Sequence, residues 1–389
     1  MQLPNTNWNY PTAVRFGIGR IADLPAVCNE LGLKRPLLVT DPGIAKLPMI
    51  GAALASLEAA GITCGLFSDV KPNPVGANVD AGVAVYRAGG HDGVIAWGGG
   101  SGLDAAKAIA FMSGQTRPLW DFEDVGDWFK RADPAGIAPI IAVPTTSGTG
   151  SEVGRASVIV DEDSHTKKII FHPRMMPSVV ILDPALTIGL PPFITAATGI
   201  DALSHCLEAY CAPGFHPMAD GIAVEGMRLI KTWLPRAVSH GEDIDARSYM
   251  QVAASMGATA FQKGLGGMHA LAHPVGALYD THHGATNGVF MPYVLAFNRT
   301  AIEDRIVRLA AYLEIQEPSF GNFLDWIIDL RSLIGIPNGL SGLGVGGERF
   351  EEIALMAERD PSASGNPLRF DAAAARHVLE NSLIERIRA

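Results

Sequence analysis

Residues 92–112 read DGVIAWGGGSGLDAAKAIAFM, so that a short apolar run passes through three glycines and a serine into a helical pattern. This stretch predicts a strand, a tight turn and a helix in direct succession. Glycines let the backbone approach a pyrophosphate, and the N–H groups that begin a helix face such an anion. Ser101 can cap the helix or bond a phosphate oxygen, and Lys107 can add charge. A turn that binds no ligand remains the alternative.

Short apolar runs and helical patterns alternate on both sides of this stretch. Strand candidates cover 36–40, 63–67 and 139–143, and helix candidates cover 48–60 and 77–88. Parallel strands need crossover helices, and strands that are covered on both faces are almost continuously apolar, as these are. The first half of the chain therefore predicts an α/β domain with a parallel, Rossmann-like sheet.

The pattern changes near Pro191, after which helical periods dominate and no convincing strand occurs. Predicted helices cover 194–210, 218–233, 245–261, 268–279, 285–298, 302–313, 320–333 and 371–387. We therefore expect two domains, an α/β domain over residues 1–190 and an all-α helical domain over residues 191–389.

Composition and charge exclude several classes of function. The 389 residues are 48% hydrophobic and 18% charged, as in a compact enzyme, and the formal net charge is −10. Nucleic-acid binding needs clustered Lys and Arg, so no nucleic-acid partner is expected. Residues 1–10 lack a signal-peptide pattern, no apolar run is long enough to span a membrane, and the four cysteines show no CxxC spacing. We expect a cytoplasmic protein with no membrane or nucleic-acid partner.

Two further segments point to a dinucleotide. Residues 144–152, PTTSGTGSE, follow the strand candidate 139–143 and are small, hydroxylated and suited to closing over a nicotinamide ribose or a diphosphate. An ordinary surface loop is the alternative. Asp41 follows the strand candidate 36–40, at the end where open α/β sheets bind ligands. A carboxylate there can accept from ribose hydroxyls and repels a 2′-phosphate, which favours NAD over NADP. A turn or helix-capping role for Asp41 is the competing interpretation.

Five potential metal ligands fall in two tight groups. Asp201 and His205 are four residues apart in one predicted helix, and so are His269 and His273 in another, with His283 ten residues later. Residues four apart share one helical face. Carboxylate oxygen and imidazole nitrogen suit Fe(II) or Zn(II). Because five candidates exceed four positions, we expect one histidine to act beside the metal, in proton transfer or substrate positioning.

These motifs resemble those of the iron-containing alcohol dehydrogenase family over essentially the whole chain. The matching stretches are FGIG at 16–19, VTD at 39–41, PNP at 72–74, GGGSGLDAAK at 98–107, PTTSGTGSEV at 144–153, DALSH at 201–205, GMHALAHPVGALYDTHHGATN at 267–287 and NP at 366–367. The family often has Pro where Gly102 stands and Ala where Ser147 stands. The resemblance implies a dehydroquinate synthase-like architecture, with the α/β domain followed by the helical domain.

The resemblance also implies roles for individual residues. Asp201, His205, His269 and His283 would be the metal ligands, and His273 would be the catalytic residue beside the nicotinamide. The implied cofactor contacts are Asp41, Asn73, Gly98, Gly99, Gly100, Ser101, Asp104, Thr145, Thr146, Ser147 and Thr149.

The implied function is an NAD-dependent alcohol dehydrogenase or aldehyde reductase that uses iron, with zinc possible. It would transfer a hydride between the nicotinamide and a small or medium alcohol or aldehyde, in a homodimer or larger homo-oligomer. One alternative is a metal-dependent lyase or synthase on the same scaffold, which would cause no net change in NADH absorbance. Another is a polyol or hydroxyacid dehydrogenase.

Overall fold

The computed structural model describes residues 10, 12–164 and 166–387, so the expectation for residues 1–10 falls almost wholly outside the described part. The chain divides into two compact units. The α/β unit contains Pro11–Thr146 and Gly150–Ile188, and the helical unit contains Gly189–Ala389 together with Tyr10 and the short segment Ser147–Thr149.

Six parallel strands form the sheet of the α/β unit, in the order β1-β8-β5-β4-β2-β3, and β6 pairs with β7 in a separate antiparallel hairpin. The strands are β1 Ala13–Phe16, β2 Leu37–Val39, β3 Gly65–Phe67, β4 Val94–Gly98, β5 Ile140–Pro144, β6 Ala156–Asp161, β7 Thr166–Phe171 and β8 Val179–Leu182. The helices of this unit are α1 Leu24–Glu30, α2 Pro48–Ala59, α3 Gly76–Gly89 and α4 Gly100–Met112. Short 3-10 turns connect several of these elements.

The central strands β4 and β5 are buried at every residue, as the continuous apolar runs predicted. The four predicted strands are present with ends shifted by one or two residues, and the predicted fold class is confirmed. The prediction missed β1, β8 and the β6–β7 hairpin. β1 is mostly exposed at the sheet edge, so it lacks the apolar pattern of a buried strand.

The strand order reverses at β2, which positions a ligand crevice. The chain runs from β2 to β3 on one side and then returns to β4 on the other side of β2. In open α/β sheets, ligands bind outside the carboxyl ends of the strands that flank such a reversal. β2 leads into Asp41 and β4 ends at Gly98, so both predicted nucleotide segments lie at this edge.

The helical unit is built around α5, in which every residue from 195 to 211 is buried. A helix that is buried on all sides belongs in a core. Residues of α6, α7, α8 and α9 join the same apolar cluster. The helices are α5 Pro192–Cys211, α6 Pro217–Ser239, α7 Ile244–Ala260, α8 Gly267–Tyr279, α9 His283–Tyr312, α10 Phe320–Leu333, α11 Phe350–Arg359 and α12 Ala372–Leu383. The described residues of this unit form no strand, as expected.

Two details of the helical prediction were wrong. The helices expected at 285–298 and 302–313 are one continuous helix, α9. The polar residues 299 and 300 interrupt the apolar pattern, but they contain no helix breaker, so the backbone continues through them. α11 was missed, although Phe350, Ile353 and Ala357 form a buried stripe at helical spacing.

Candidate metal and nucleotide sites

Three predicted metal ligands converge inside the helical unit. Asp201 and His205 lie one turn apart on α5, and His269 lies in the first turn of α8. One potential ligand atom from each of these buried residues lies within 4.8 Å of the other two. The rings of His205 and His269 are stacked with their centroids 4.7 Å apart. The helical spacing that suggested a shared face is therefore what brings these side chains together.

His283, the first residue of α9, completes the group. Its Nε2 lies 3.7 Å from Oδ1 of Asp201, and Nε2 of His269 lies 4.0 Å from the same oxygen. We call Asp201, His205, His269 and His283 the histidine cluster. Asp201, His205 and His269 offer one carboxylate and two imidazoles in a buried space, and His283 adds a third imidazole next to Asp201. This donor set fits a divalent ion such as Fe(II) or Zn(II).

Asn287 supports the cluster and was missed by the sequence analysis. Its Nδ2 lies 2.9 Å from Oδ1 of Asp201 and donates to it, and the same nitrogen is 3.2 Å from Nε2 of His269 and of His283. Asn287 stands one helical turn after His283 on α9 and is fully buried. That i,i+4 spacing from a predicted ligand was a usable signal.

Glu208 was also missed, although it follows Asp201 by two helical turns on α5. Its Oε2 accepts from Nδ1 of His269 at 2.6 Å, and its Oε1 accepts from the Met268 backbone N–H at 2.6 Å. The side chains of Glu208 and His269 are 4% and 2% exposed. Glu208 is therefore a buried carboxylate whose two oxygens are both engaged.

The two stacked imidazoles have opposite pKa shifts. Burial lowers the pKa of His205 to about 4, although Asp201 opposes the change. Burial also lowers the pKa of His269, but the hydrogen bond and charge of Glu208 outweigh it and leave that pKa raised. At neutral pH His205 is uncharged, which is the state that offers a nitrogen lone pair to a metal.

His273 lies one turn after His269 on α8, at the border of the histidine cluster. Its ring stacks on that of His283, with a centroid distance of 5.4 Å and an interplanar angle of 9°. Its Nδ1 donates to Oδ2 of Asp360 at 2.7 Å. Burial raises the pKa of Asp360, but His273 and Ser362 outweigh it and leave the pKa below its usual range. The carboxylate thus stays charged and fixes the imidazole through its Nδ1. No local pattern in the sequence predicted Asp360 as a partner, because it lies 87 residues from His273.

The glycine turn, Gly98–Ser101, leaves the carboxyl end of β4. Gly98 has a φ of 144°, which an L side chain rarely adopts. Thr145 donates its backbone N–H to the Gly98 carbonyl at 2.9 Å. A Cβ on Gly99 would lie 3.2 Å from Cγ2 of Thr146. The structure therefore brings the glycine turn and the start of the 144–152 loop together.

Ser101 and Lys107 differ from the expectations placed on them. The N-cap of α4 is Gly99, and the Ser101 hydroxyl donates to the Pro72 carbonyl beside Asn73. Ser101 does not cap the helix because it lies inside the first turn. The Lys107 ammonium is buried and donates to the carbonyls of Ser151 and Ala156. Burial lowers the pKa of Lys107, against the opposing effect of Asp104. Lys107 thus links α4 to the segment 151–156 and presents no charge to a phosphate.

The carboxylates of Asp104 and Asp41 both accept hydrogen bonds from nearby groups of the protein. Oδ2 of Asp104 accepts from the Val158 N–H at 2.9 Å, and its Oδ1 accepts from the Ser151 hydroxyl. Oδ1 of Asp41 accepts from the N–H groups of Gly43 and Ile44 at 2.8 and 2.9 Å. This is the turn-capping role that the sequence left open for Asp41. The cofactor roles of both residues stay predictions.

Ser147 and Thr149 belong to the helical unit, whereas Thr145 and Thr146 belong to the α/β unit. Between them, Gly148 packs so closely on α5 that a Cβ would lie 2.7 Å from Cβ of Thr198. The 144–152 loop is therefore divided between the two units.

Comparison with known proteins identifies the family. Residues 11–184 match the family described as iron-containing alcohol dehydrogenase, and residues 195–383 match the C-terminal part of the Fe-containing alcohol dehydrogenase family. The chain belongs to the iron-containing alcohol dehydrogenase family. A 4-hydroxybutyrate dehydrogenase of Cupriavidus necator is 39% identical over 385 residues, covering 96% of this chain and 99% of the relative.

Two further relatives agree with this assignment. An NAD-dependent methanol dehydrogenase of Bacillus methanolicus is 33% identical over 388 residues, covering 97% of this chain and all of the relative (100%). The crystal structure of a 1,3-propanediol oxidoreductase matches with a TM-score of 0.92 and 35% identity, covering 97% of this chain and 100% of that chain.

The family membership confirms several predictions. The chain is an oxidoreductase that acts on CH–OH groups, and NAD and a metal are confirmed as cofactors at the level of the family. The lyase or synthase alternative is not favoured, because these relatives are dehydrogenases. Among the described residues, no helix combines the length and the apolar character that crossing a membrane requires.

Proposed function

We propose that this protein is an NAD-dependent, iron-dependent alcohol dehydrogenase and aldehyde reductase. The observation that carries the proposal is the histidine cluster. Four side chains from α5, α8 and α9 face one another, and the histidine on α8 has its outer nitrogen fixed by a buried carboxylate. Such outer partners are typical of sites that hold a metal. Asp201, His205, His269 and His283 are the proposed ligands, with iron preferred and zinc possible.

NAD is the proposed cofactor of the α/β unit. The glycine turn and Asp41 follow the two strands at which the strand order reverses. The N–H groups that begin α4 suit a pyrophosphate, and no side chain at Gly98 or Gly99 obstructs an approach to them. Since Oδ1 of Asp41 holds the turn, Oδ2 is the oxygen proposed to meet the ribose hydroxyls.

A divalent metal held by the four residues of the histidine cluster would supply Lewis acidity to a substrate oxygen, and bound NAD would supply the hydride chemistry. His273 is the proposed acid–base residue. Its Nδ1 is held by Asp360, so the proton that it exchanges belongs to Nε2. Its stacking on His283 keeps the ring next to the proposed metal ligands.

The proposed substrate is a small or medium alcohol or aldehyde. Similar proteins are named for 4-hydroxybutyrate, methanol and 1,3-propanediol, so the class includes short alcohols, diols and hydroxyacids. The polyol or hydroxyacid alternative is therefore best tested within the same substrate panel.

The deciding experiment measures NADH oxidation at about 340 nm with short aldehydes, hydroxyaldehydes and aldehyde acids. The enzyme is first stripped with a chelator and then supplied with Fe(II) or Zn(II). Activity that disappears on stripping and returns with iron supports the proposal, and the ranking of aldehydes defines the substrate. A metal-loaded enzyme that binds NADH but oxidises it with no member of the panel contradicts the proposal.

We further propose that residues 1–190 and 191–389 form the nucleotide and metal domains of a homodimer or larger oligomer in the cytoplasm. Apart from Tyr10 and Ser147–Thr149, which belong to the helical unit, the two compact units support the division. The edge strand β1 exposes Val14 and Phe16, which an oligomer could cover. The four cysteines are unpaired, as in a reducing compartment. Light scattering during size-exclusion chromatography tests the oligomer, and a monomeric mass contradicts it.

A further inference from the structure

We infer that Glu208 is a positioning residue that fixes the ring orientation and the tautomer of His269, and thereby sets how tightly the protein holds its metal. The inference rests on the proposed function, because it takes His269 as a ligand. It adds a role for a residue that would itself touch neither metal nor substrate.

The first step of the argument is the bond between the two side chains. Oε2 of Glu208 lies 2.6 Å from Nδ1 of His269, and both side chains are almost completely buried. A neutral imidazole has one N–H group, and a carboxylate can only accept a hydrogen bond. The proton therefore stays on Nδ1, and Nε2 keeps its lone pair. That nitrogen is the one that faces Oδ1 of Asp201, 4.0 Å away.

The second step is that Glu208 cannot easily turn away from His269. Its other oxygen accepts from the Met268 N–H at 2.6 Å, in the first turn of α8. The N-terminus of a helix stabilises a carboxylate through its unpaired N–H groups and its dipole. A Cβ on Gly266 would lie 3.0 Å from Oε1 of Glu208, so the glycine lets the carboxylate pack closely against the backbone at the start of α8. Both carboxylate oxygens are thus held, and the carboxylate plane is fixed.

A purely structural role is the competing explanation, in which Glu208 only caps α8. A second side chain bonds the start of α8 without contacting an imidazole. Oδ1 of Asn366 accepts from the Gly267 N–H at 3.1 Å, next to the bond made by Glu208. The described hydrogen bonds of Asn366 link it to Gly267, Asn298 and Leu368, and none of them reaches an imidazole. Asn366→Ala is therefore a matched control for loss of a cap.

Glu208→Gln separates the two roles on chemical grounds. An amide has one accepting oxygen for the two donors that the carboxylate serves. If that oxygen stays on the Met268 N–H, the NH2 group faces Nδ1 of His269 and favours the tautomer with the proton on Nε2. That proton must then be lost before Nε2 can bind a metal. The cap is kept, while the ligand is presented in the wrong form.

The experiment measures the dissociation constant for Co(II), Zn(II) and Fe(II) by competition with a chelator of known affinity. It compares the full-length wild type, Glu208→Gln, Glu208→Asp and Asn366→Ala. Loss of such an outer partner typically weakens metal binding about 10- to 100-fold. We expect that loss for Glu208→Gln, an intermediate value for Glu208→Asp, and wild-type affinity for Asn366→Ala despite a lower melting temperature. We also expect the visible absorption spectrum of bound Co(II) to change only in the Glu208 variants.

The possible outcomes are distinct. Wild-type affinity and an unchanged Co(II) spectrum in Glu208→Gln overturn the inference, and so does an equal loss of affinity in Asn366→Ala. If Glu208→Gln does not fold, Glu208→Asp decides, because it keeps a carboxylate but shortens the side chain that reaches His269. Wild-type affinity and an unchanged Co(II) spectrum in Glu208→Asp then overturn the inference. A wild type that takes up no metal, or an Asp201→Ala variant that binds as tightly as the wild type, contradicts the proposed function instead.

Discussion

The histidine cluster of the helical unit and the glycine turn of the α/β unit are built in opposite ways. In the histidine cluster, side chains from α5, α8 and α9 face one another, and Glu208 and Asp360 hold the outer nitrogens of the two histidines on α8. At the glycine turn, the Ser101 side chain is bonded to a backbone carbonyl, that of Pro72. Asp41, after β2, likewise bonds to backbone N–H groups, those of Gly43 and Ile44.

This difference indicates which atoms do the binding in each unit. The histidine cluster offers side-chain oxygen and nitrogen atoms, so truncating one side chain removes a ligand. The glycine turn offers backbone N–H groups, so the loss of a side chain matters less there than the gain of one. Substitutions in the two units should therefore have effects of different kind and size.

The largest expected effect is that of His269→Ala, which removes a proposed ligand together with the partner of Glu208. We expect metal content and turnover to fall together, with turnover reduced at least about a thousandfold, equivalent to about 4 kcal/mol. Metal analysis and NADH-coupled rates on the same sample measure both. His377→Ala, at an exposed position of α12, is the control and should retain both. Full metal content and rate in His269→Ala would remove His269 from the ligand set.

Gly98→Ala tests the other side of the comparison. The φ of 144° at Gly98 strains any residue with a Cβ, whatever space is available. We expect a loss of stability of about 1–3 kcal/mol and a weakening of NADH binding by about tenfold or more. Ser101→Ala, which loses one hydrogen bond to the Pro72 carbonyl, should cost about 1 kcal/mol or less. Fluorescence titration with NADH and thermal unfolding measure these changes. A larger effect of Ser101→Ala on NADH binding would contradict a backbone-based site.

The sequence predicted features that depend on residues near one another in the chain, and it missed features that depend on distant residues. Both i,i+4 pairs, Asp201 with His205 and His269 with His273, lie on single helices, so local spacing was enough to group them. The apolar run that leads into Gly98 was likewise enough, by itself, to predict strand β4. Strand β1 is mostly exposed and pairs with β8 across 166 residues, so its place in the sheet depends on tertiary structure and could not be predicted from local sequence. Strand β8 is a short apolar run, VVIL, that is buried throughout, so the pattern that predicted β4 and β5 was also present there.

Lys107 shows how one missed element changes the interpretation of a residue. A lysine on the second turn after a glycine run suggested a charge for phosphate. Its ammonium instead donates to the carbonyl of Ser151 and to that of Ala156, the first residue of the unpredicted β6–β7 hairpin. Without the hairpin, no local pattern could reveal that Lys107 is buried. Asp360 was missed for a related reason, since its partner His273 is 87 residues away and the contact depends on tertiary structure.

Asp360→Asn asks whether a buried partner in the helical unit affects catalysis without affecting the metal. Nδ1 of His273 donates to Asp360, and an amide cannot hold that imidazole with a negative charge. We expect kcat to fall about tenfold, within the range of acid–base effects, while the metal content stays at the wild-type level. Steady-state kinetics with metal analysis provide the measurement. Loss of metal in Asp360→Asn would instead place Asp360 among the supports of the histidine cluster.

The smallest expected effect is that of Gly51→Ala, which makes the same chemical change as Gly98→Ala in the same unit. Gly51 is an exposed residue of α2 without a positive φ, and no described heavy atom lies within 4 Å of the added Cβ. Alanine is favoured over glycine in a helix interior by roughly 0.5–1 kcal/mol, so stability should rise by that amount while NADH affinity stays unchanged. Denaturant unfolding and NADH titration measure both. If Gly51→Ala also weakened NADH binding, the effect of Gly98→Ala could not be assigned to the backbone geometry of the glycine turn.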